Sequence, residues 1–143
     1  MTCTILLPVD GSEGSSRAAR HVASLARLVP DLAVHLVNVQ PPGDDWMVRR
    51  MLKQEELATL EREWGDSALA PARAVLHGAG LCITEHIIQG EEIAASIAAL
   101  ARDLGCDQII MGSHGRTALG GLLLGSVATK VLHLTQIPVT LVK

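Results

Sequence analysis

The residues most able to do chemistry lie between Met111 and Lys130, a stretch reading MGSHGRTALGGLLLGSVATK. Two residues separate Gly112 from Gly115, and nine more separate Gly115 from the pair Gly125-Ser126. An apolar run, Gln108 to Met111, precedes the glycines, and an apolar helical pattern (Val127, Val131, Leu132, Leu134) follows them. A strand, a glycine-rich loop and a helix opening on Gly and Ser make an anion site. Glycines let the backbone approach a phosphate, and the unpaired amides of a helix start point at it.

Two familiar phosphate motifs do not fit. A GxGxxG dinucleotide fingerprint belongs after the first strand, where only Gly11 and Gly14 stand. Gly120 to Ser126 resembles a P-loop superficially, but Leu124 occupies the place of its lysine. Phosphate charge therefore falls to backbone amides, Ser126, the helix dipole and Arg116. A charge at a helix start gains about 0.3–1 kcal/mol, and up to ~2 when partly buried, so affinity on the order of micromolar is expected. Each of these residues also has a plainer reading. Ser126 can be a helix cap and a phosphate donor at once, Arg116 a mobile surface cation, and His114 a phosphate donor or a solvated loop side chain.

The elements that must position this loop follow in order. Thr4 to Val9 reads as a strand ending at Asp10-Gly11-Ser12, with Ser12 or Ser15 capping a helix that buries Ala18, Ala19, Val22, Ala23, Ala26 and Val29 and stops at Pro30-Asp31. Leu32 to Val39 is an apolar central strand. After Pro41-Pro42-Gly43, the stretch from Asp44 to about Leu76 reads as helical, with Leu57, Leu60, Trp64 and Ala68 on one stripe and an Asp45–Arg49 pair. Gly65 and Pro71 interrupt it, which predicts a kinked helix or two shorter ones. Trp46 and Trp64 read as core or dimer surface rather than a ligand lid. Leu81 to Ile88, polar at Thr84, Glu85 and His86, is placed at a sheet edge. Gly90 ends it, and Glu91 and Glu92 start the next helix, which Gly105 closes. Ile137 to Val142 is a final edge strand.

This βαβαβαβαβ alternation, without repeat or linker, specifies one domain over residues 1–143. Its fold class is α/β, a three-layer sandwich around a five-stranded parallel sheet of order 3-2-1-4-5, Rossmann-like. Ligands bind such sheets at the switch point, here between strands one and four. Asp10 ends strand one and Gly112 ends strand four, so two features chosen separately meet in one crevice. Asp10 by itself could be a turn residue; the loop opposite favours a site.

Composition narrows the function. A chain of 143 residues that is 48% hydrophobic can bury a substantial core and is not disordered. No apolar run reaches the ~18 residues of a membrane span, and no secretory signal is visible, so a cytoplasmic location is expected. Net charge is −3 with no basic block, which argues against nucleic acid as a partner. Cys3, Cys82 and Cys106 have no metal or redox spacing, and the His residues outside the loop show no ligand spacing. Phe and Tyr are absent and there are only 2 Trp, so stacking on aromatic side chains is not expected.

The whole chain resembles the universal stress protein family. The resemblance is carried by Pro8-Val9-Asp10-Gly11-Ser12, by Met111-Gly112-Ser113-His114-Gly115-Arg116, by Gly125-Ser126, and by the closing Ile137-Pro138-Val139. In that family the pattern G-x2-G-x9-G-(S/T) marks the members that bind ATP, and this sequence satisfies every fixed position. The resemblance implies that Asp10 hydrogen-bonds a ribose or orders the site, and that backbone near Val39 brackets adenine. Gly112 and Gly115 would let amides meet the phosphates, and Gly125, Ser126 and Val127 would hold the terminal ones. The ligand implied is ATP, or AMP or ADP, with Mg2+ or Mn2+ bound through the phosphates. Gln89-Gly90-Glu91-Glu92 departs from the family, where a proline often follows the glycine.

Three functions from different classes stay open: a nucleotide-responsive regulator, a slow ATPase, and a dimeric interaction module with no nucleotide requirement. Hydrolysis needs a base and charge stabilisation at the γ-phosphate, and no base is evident. The resemblance also implies a homodimer through the last strand, whose apolar edge invites pairing.

Overall fold

The computed structural model describes residues 1–43, 46–115 and 124–143, with Trp46 described by its backbone alone. Arg116, Asp45 (and with it the expected pair to Arg49) and the Trp46 side chain lie outside the described residues. The strands are β1 (Cys3–Pro8), β2 (Leu32–Gln40), β3 (Ile83–Gln89), β4 (Gln108–Gly112) and β5 (Val139–Val142). The helices are α1 (Glu13–Leu25), α2 (Trp46–Met51), α3 (Gln54–Gly78), α4 (Ile93–Asp103) and α5 (Ser126–Leu134). All strands pair in parallel, in the order β3-β2-β1-β4-β5, which is the expected sheet.

Alternation along β1 divides the core between the two sheet faces. Ile5, Leu7 and Val9 point to one side, where they join Val34, Leu36 and Ile110 under α1 and α3. Leu6 points to the other, with Val37, Val39, Ile109 and Met111 under α4 and α5. Each fully buried aliphatic side chain contributes about 1.5–3 kcal/mol relative to exposure. Among the described residues no helix is long and apolar enough to cross a membrane.

β3 lies at an edge, as its polar residues imply, and the structure gives two of them partners. Arg73 of α3 bridges Glu85 and Asp66, and those two carboxylates raise its pKa. On the opposite sheet face His86 meets His35 of β2 at 2.9 Å, ring nitrogen to ring nitrogen. Burial, then the neighbouring imidazole, holds the pKa of His86 below its ordinary value.

Several element boundaries differ from expectation. α1 ends at Leu25, and turn bonds from Leu28 and Val29 to the Leu25 carbonyl carry the chain on to Pro30. The polar-rich segment does form two helices, but they part at Leu52-Lys53, where Glu56 reaches back to the Lys53 amide at 3.4 Å. Gly65 and Pro71 both sit inside α3. Pro71 faces outward, so its ring costs one backbone bond without opening the core, and Gly65 is needed for packing. A Cβ on Gly65 would stand 2.5 Å from Ile87 Cγ2, so the missing side chain lets α3 close onto β3. Glu91 and Glu92 precede α4 instead of opening it, with Glu92 at the N-cap. β5 starts at Val139, since Pro138 has no amide to donate.

Candidate functional site

β1 and β4 end side by side at the switch point, and the chain leaves them into α1 and toward α5. Asp10 follows β1 and is pinned by α1. Its Oδ1 accepts from the Ser12 amide at 3.0 Å and from Ser15 Oγ at 2.9 Å, and Ser15 Oγ accepts in turn from the Asp10 amide at 3.0 Å. Ser12 is the N-cap of α1, accepting from the Ser15 amide, which resolves the choice between the two serines. Gly11 makes the turn possible with φ 81°, in the region that favours glycine.

The glycine loop closes against this corner at van der Waals distance. A Cβ on Gly115 would lie 2.7 Å from Asp10 Oδ2, and one on Gly14 would lie 2.6 Å from the His114 carbonyl oxygen. A Cβ on Gly112 would meet Gly14 backbone at 3.0 Å, and one on Gly125 would meet the Ser113 carbonyl at 3.2 Å. Two bonds brace the loop: the Ser113 amide donates to Val142 O at 2.9 Å, and the Gly125 amide donates to Ser113 O at 2.6 Å. Ser113 is buried, and its Oγ lies 3.1 Å from His114 Nδ1.

α5 starts at Ser126 with Gly125 as N-cap and no side-chain cap. The first intrahelical bond runs from the Thr129 amide to Gly125 O. The amides of Ser126, Val127 and Ala128 therefore find no acceptor among the described residues, nor does that of Gly115. The helix dipole places partial positive charge at the same point.

These parts surround one cavity of about 670 Å3, within the size range of small-molecule sites. Pro8, Val9, Asp10, Val39, Met111, Gly112, His114, Gly115, Gly125, Ser126 and Val127 all line it. Among the described residues no three of His, Cys, Asp and Glu are grouped to hold a metal ion. The arrangement can receive an anion at the α5 end, with a carboxylate, Asp10, beside it.

Several lining residues were not foreseen as parts of a site. Ser15, a candidate cap in the sequence, lines the cavity and holds Asp10. Gly14 backs the glycine loop against Gly112 and His114, an encounter between distant segments that no local pattern encodes. Asn38, buried in β2, donates from Nδ2 to Val9 O at 2.8 Å and so ties the end of β2 to β1 at the cavity floor. Trp64 is not in the core: it lines the cavity with Leu57, Glu61 and Ala68, at 56% exposure. An aromatic face is therefore available after all.

Comparison with known proteins agrees with this architecture. The model of the universal stress protein family matches residues 1–143. Universal stress protein MJ0531 of Methanocaldococcus jannaschii is 31% identical, over 97% of this chain and 81% of its own length. The solved structure of MJ0577, from the same organism, superposes with a TM-score of 0.82 at 32% identity, covering 100% of this chain and 96% of the other. A universal stress protein from Archaeoglobus fulgidus, solved in complex with dAMP, has the same fold (TM-score 0.67, 22% identity, 100% of this chain and 98% of that one). With its five-stranded parallel sheet, its switch-point cavity and a family match along its entire length, the chain belongs to the universal stress protein family.

Proposed function

We propose that this protein binds an adenine nucleotide, ATP or its AMP or ADP relatives, and acts in stress response through nucleotide-dependent regulation. One observation carries the reading: amides at Gly115 and at the start of α5, without an acceptor among the described residues, line the same cavity as the pinned carboxylate of Asp10. The phosphates lie on the amides of Gly115, Ser126 and Val127, with Gly112 and Gly125 leaving them room. His114 and Arg116 add donors at the loop. Asp10 accepts from the ribose hydroxyls, and backbone at Val39 meets the edge of adenine. The intact G-x2-G-x9-G-S spacing from Gly112 to Ser126 and the dAMP held by the Archaeoglobus fulgidus relative both support an adenine nucleotide over an arbitrary anion.

Mg2+ or Mn2+ enters with the phosphates and is held by them. Regulation is favoured over turnover because Oδ1 of Asp10 is engaged by Ser12 and Ser15, which suits a positioning role better than that of a base. The protein works in the cytoplasm as a homodimer, joined along the segment Ile137 to Val142. β5 supports this: among the described residues it is an edge strand that pairs with β4 alone, and its residues are half-buried.

Denaturing freshly purified protein and chromatographing the supernatant tests the reading. An adenine nucleotide is expected in the released fraction, or, for protein stripped during purification, a calorimetric ATP affinity on the order of micromolar. No released nucleotide and no heat of binding at millimolar ATP would contradict it.

A further inference from the structure

We infer that Trp64 covers the base of the bound nucleotide and that α3 is the part of the chain that distinguishes a nucleotide from a bare polyphosphate. The inference rests on the nucleotide reading above and extends it to the other end of the ligand.

The cavity wall is of two chemical kinds. At the start of α5 and the glycine loop it is backbone amide. Elsewhere it carries the apolar side chains Leu57, Trp64 and Ala68 of α3 and Ile93 and Ile97 of α4, together with the charged Glu61 and Arg49. A ligand anchored by its phosphates on the amides places its remaining atoms against these side chains. Residues 57, 61, 64 and 68 recur at helical spacing, so they form one stripe of α3 turned to the cavity.

Within that stripe Trp64 stands apart. The chain has no Phe or Tyr, and this indole is 56% exposed, although the protein has a core able to bury it. An aromatic ring left in water at a cavity wall keeps apolar area that a flat ligand would cover. Its position is also built in. Gly65, the next residue, is buried with its backbone close against Ile87, which fixes the register and height of α3 at the cavity. Stacking of a base on an aromatic side chain contributes about 1–3 kcal/mol. Backbone at Val39 then meets the edge of the base while Trp64 takes its face.

Calorimetric titration of the wild-type protein, Trp64→Ala and Trp64→Phe with ATP, AMP and inorganic tripolyphosphate tests this. Trp64→Ala is expected to weaken ATP and AMP by about tenfold and to leave tripolyphosphate unchanged, with Trp64→Phe recovering most of the loss. ATP is also expected to quench tryptophan emission in the wild type and not in Trp64→Phe, where Trp46 is the remaining indole. Unchanged ATP affinity in Trp64→Ala, or equal weakening of all three ligands, would overturn the role of Trp64 and leave the phosphate site standing. If the wild-type protein binds neither ATP nor tripolyphosphate, the nucleotide reading itself fails and takes this inference with it.

Discussion

Gly115→Val is expected to lose roughly a hundredfold or more in ATP affinity while the protein stays folded. The backbone of Gly115 is not in the left-handed region, so a side chain is excluded by space and not by conformation. Its Cβ would stand 2.7 Å from Asp10 Oδ2, and Asp10 cannot swing aside without giving up the Ser12 amide and Ser15 hydroxyl that hold its other oxygen. The valine methyls would then fill the approach to the Gly115 amide. A hydrogen bond to a charged group contributes about 1.5–3 kcal/mol, and losing one or two corresponds to about two decades in affinity. Calorimetric titration with ATP beside the wild type checks this; equal affinities would mean that no phosphate passes this residue.

The second large effect is expected at Gly14. A Gly14→Val side chain would drive Cβ to 2.6 Å from the His114 carbonyl, a backbone atom that cannot turn away as a side chain could. The first turn of α1 and the glycine loop must separate. Overpacking of this kind costs about 1–3 kcal/mol, and β-branching forfeits the helical gain that alanine would bring. Thermal melting is expected to fall by roughly 5–10 °C, with ATP affinity reduced as well because Asp10 and Gly115 meet at the same corner. Gly78→Ala is the control. It lies in the last turn of α3 with nothing within 4 Å of its Cβ position, and should leave ATP binding unchanged. Equal melting temperatures for wild type and Gly14→Val would show that the loop and α1 are not in contact.

What could be read from the sequence follows from the range of each physical signal. Alternating apolar runs and amphipathic helices are local, and handedness rules then leave few topologies, so the sheet order and the meeting of Asp10 with Gly112 were both foreseeable. The polar residues of β3 gave away its edge position for the same reason. Prediction failed where a residue's meaning depends on something distant in the chain. Gly65 and Pro71 read locally as helix breakers, yet a glycine that lets α3 touch Ile87 and a proline on the outer face are both compatible with a continuous helix. Gly14 acquires its role only from a loop some hundred positions later. Trp64 shares an apolar stripe with Leu57 and Ala68 yet is not in the core, because periodicity says which residues share a face but not whether that face meets protein or an opening.

In the function proposed above, backbone amides between β4 and α5 receive a polyphosphate. Titrating 15N-labelled protein with ATP, and separately with tripolyphosphate, while following the backbone amide resonances tests it most directly. The largest shifts in both titrations are expected on Gly115, Ser126 and Val127. Saturation by ATP with those amides unmoved and the largest shifts elsewhere would contradict it.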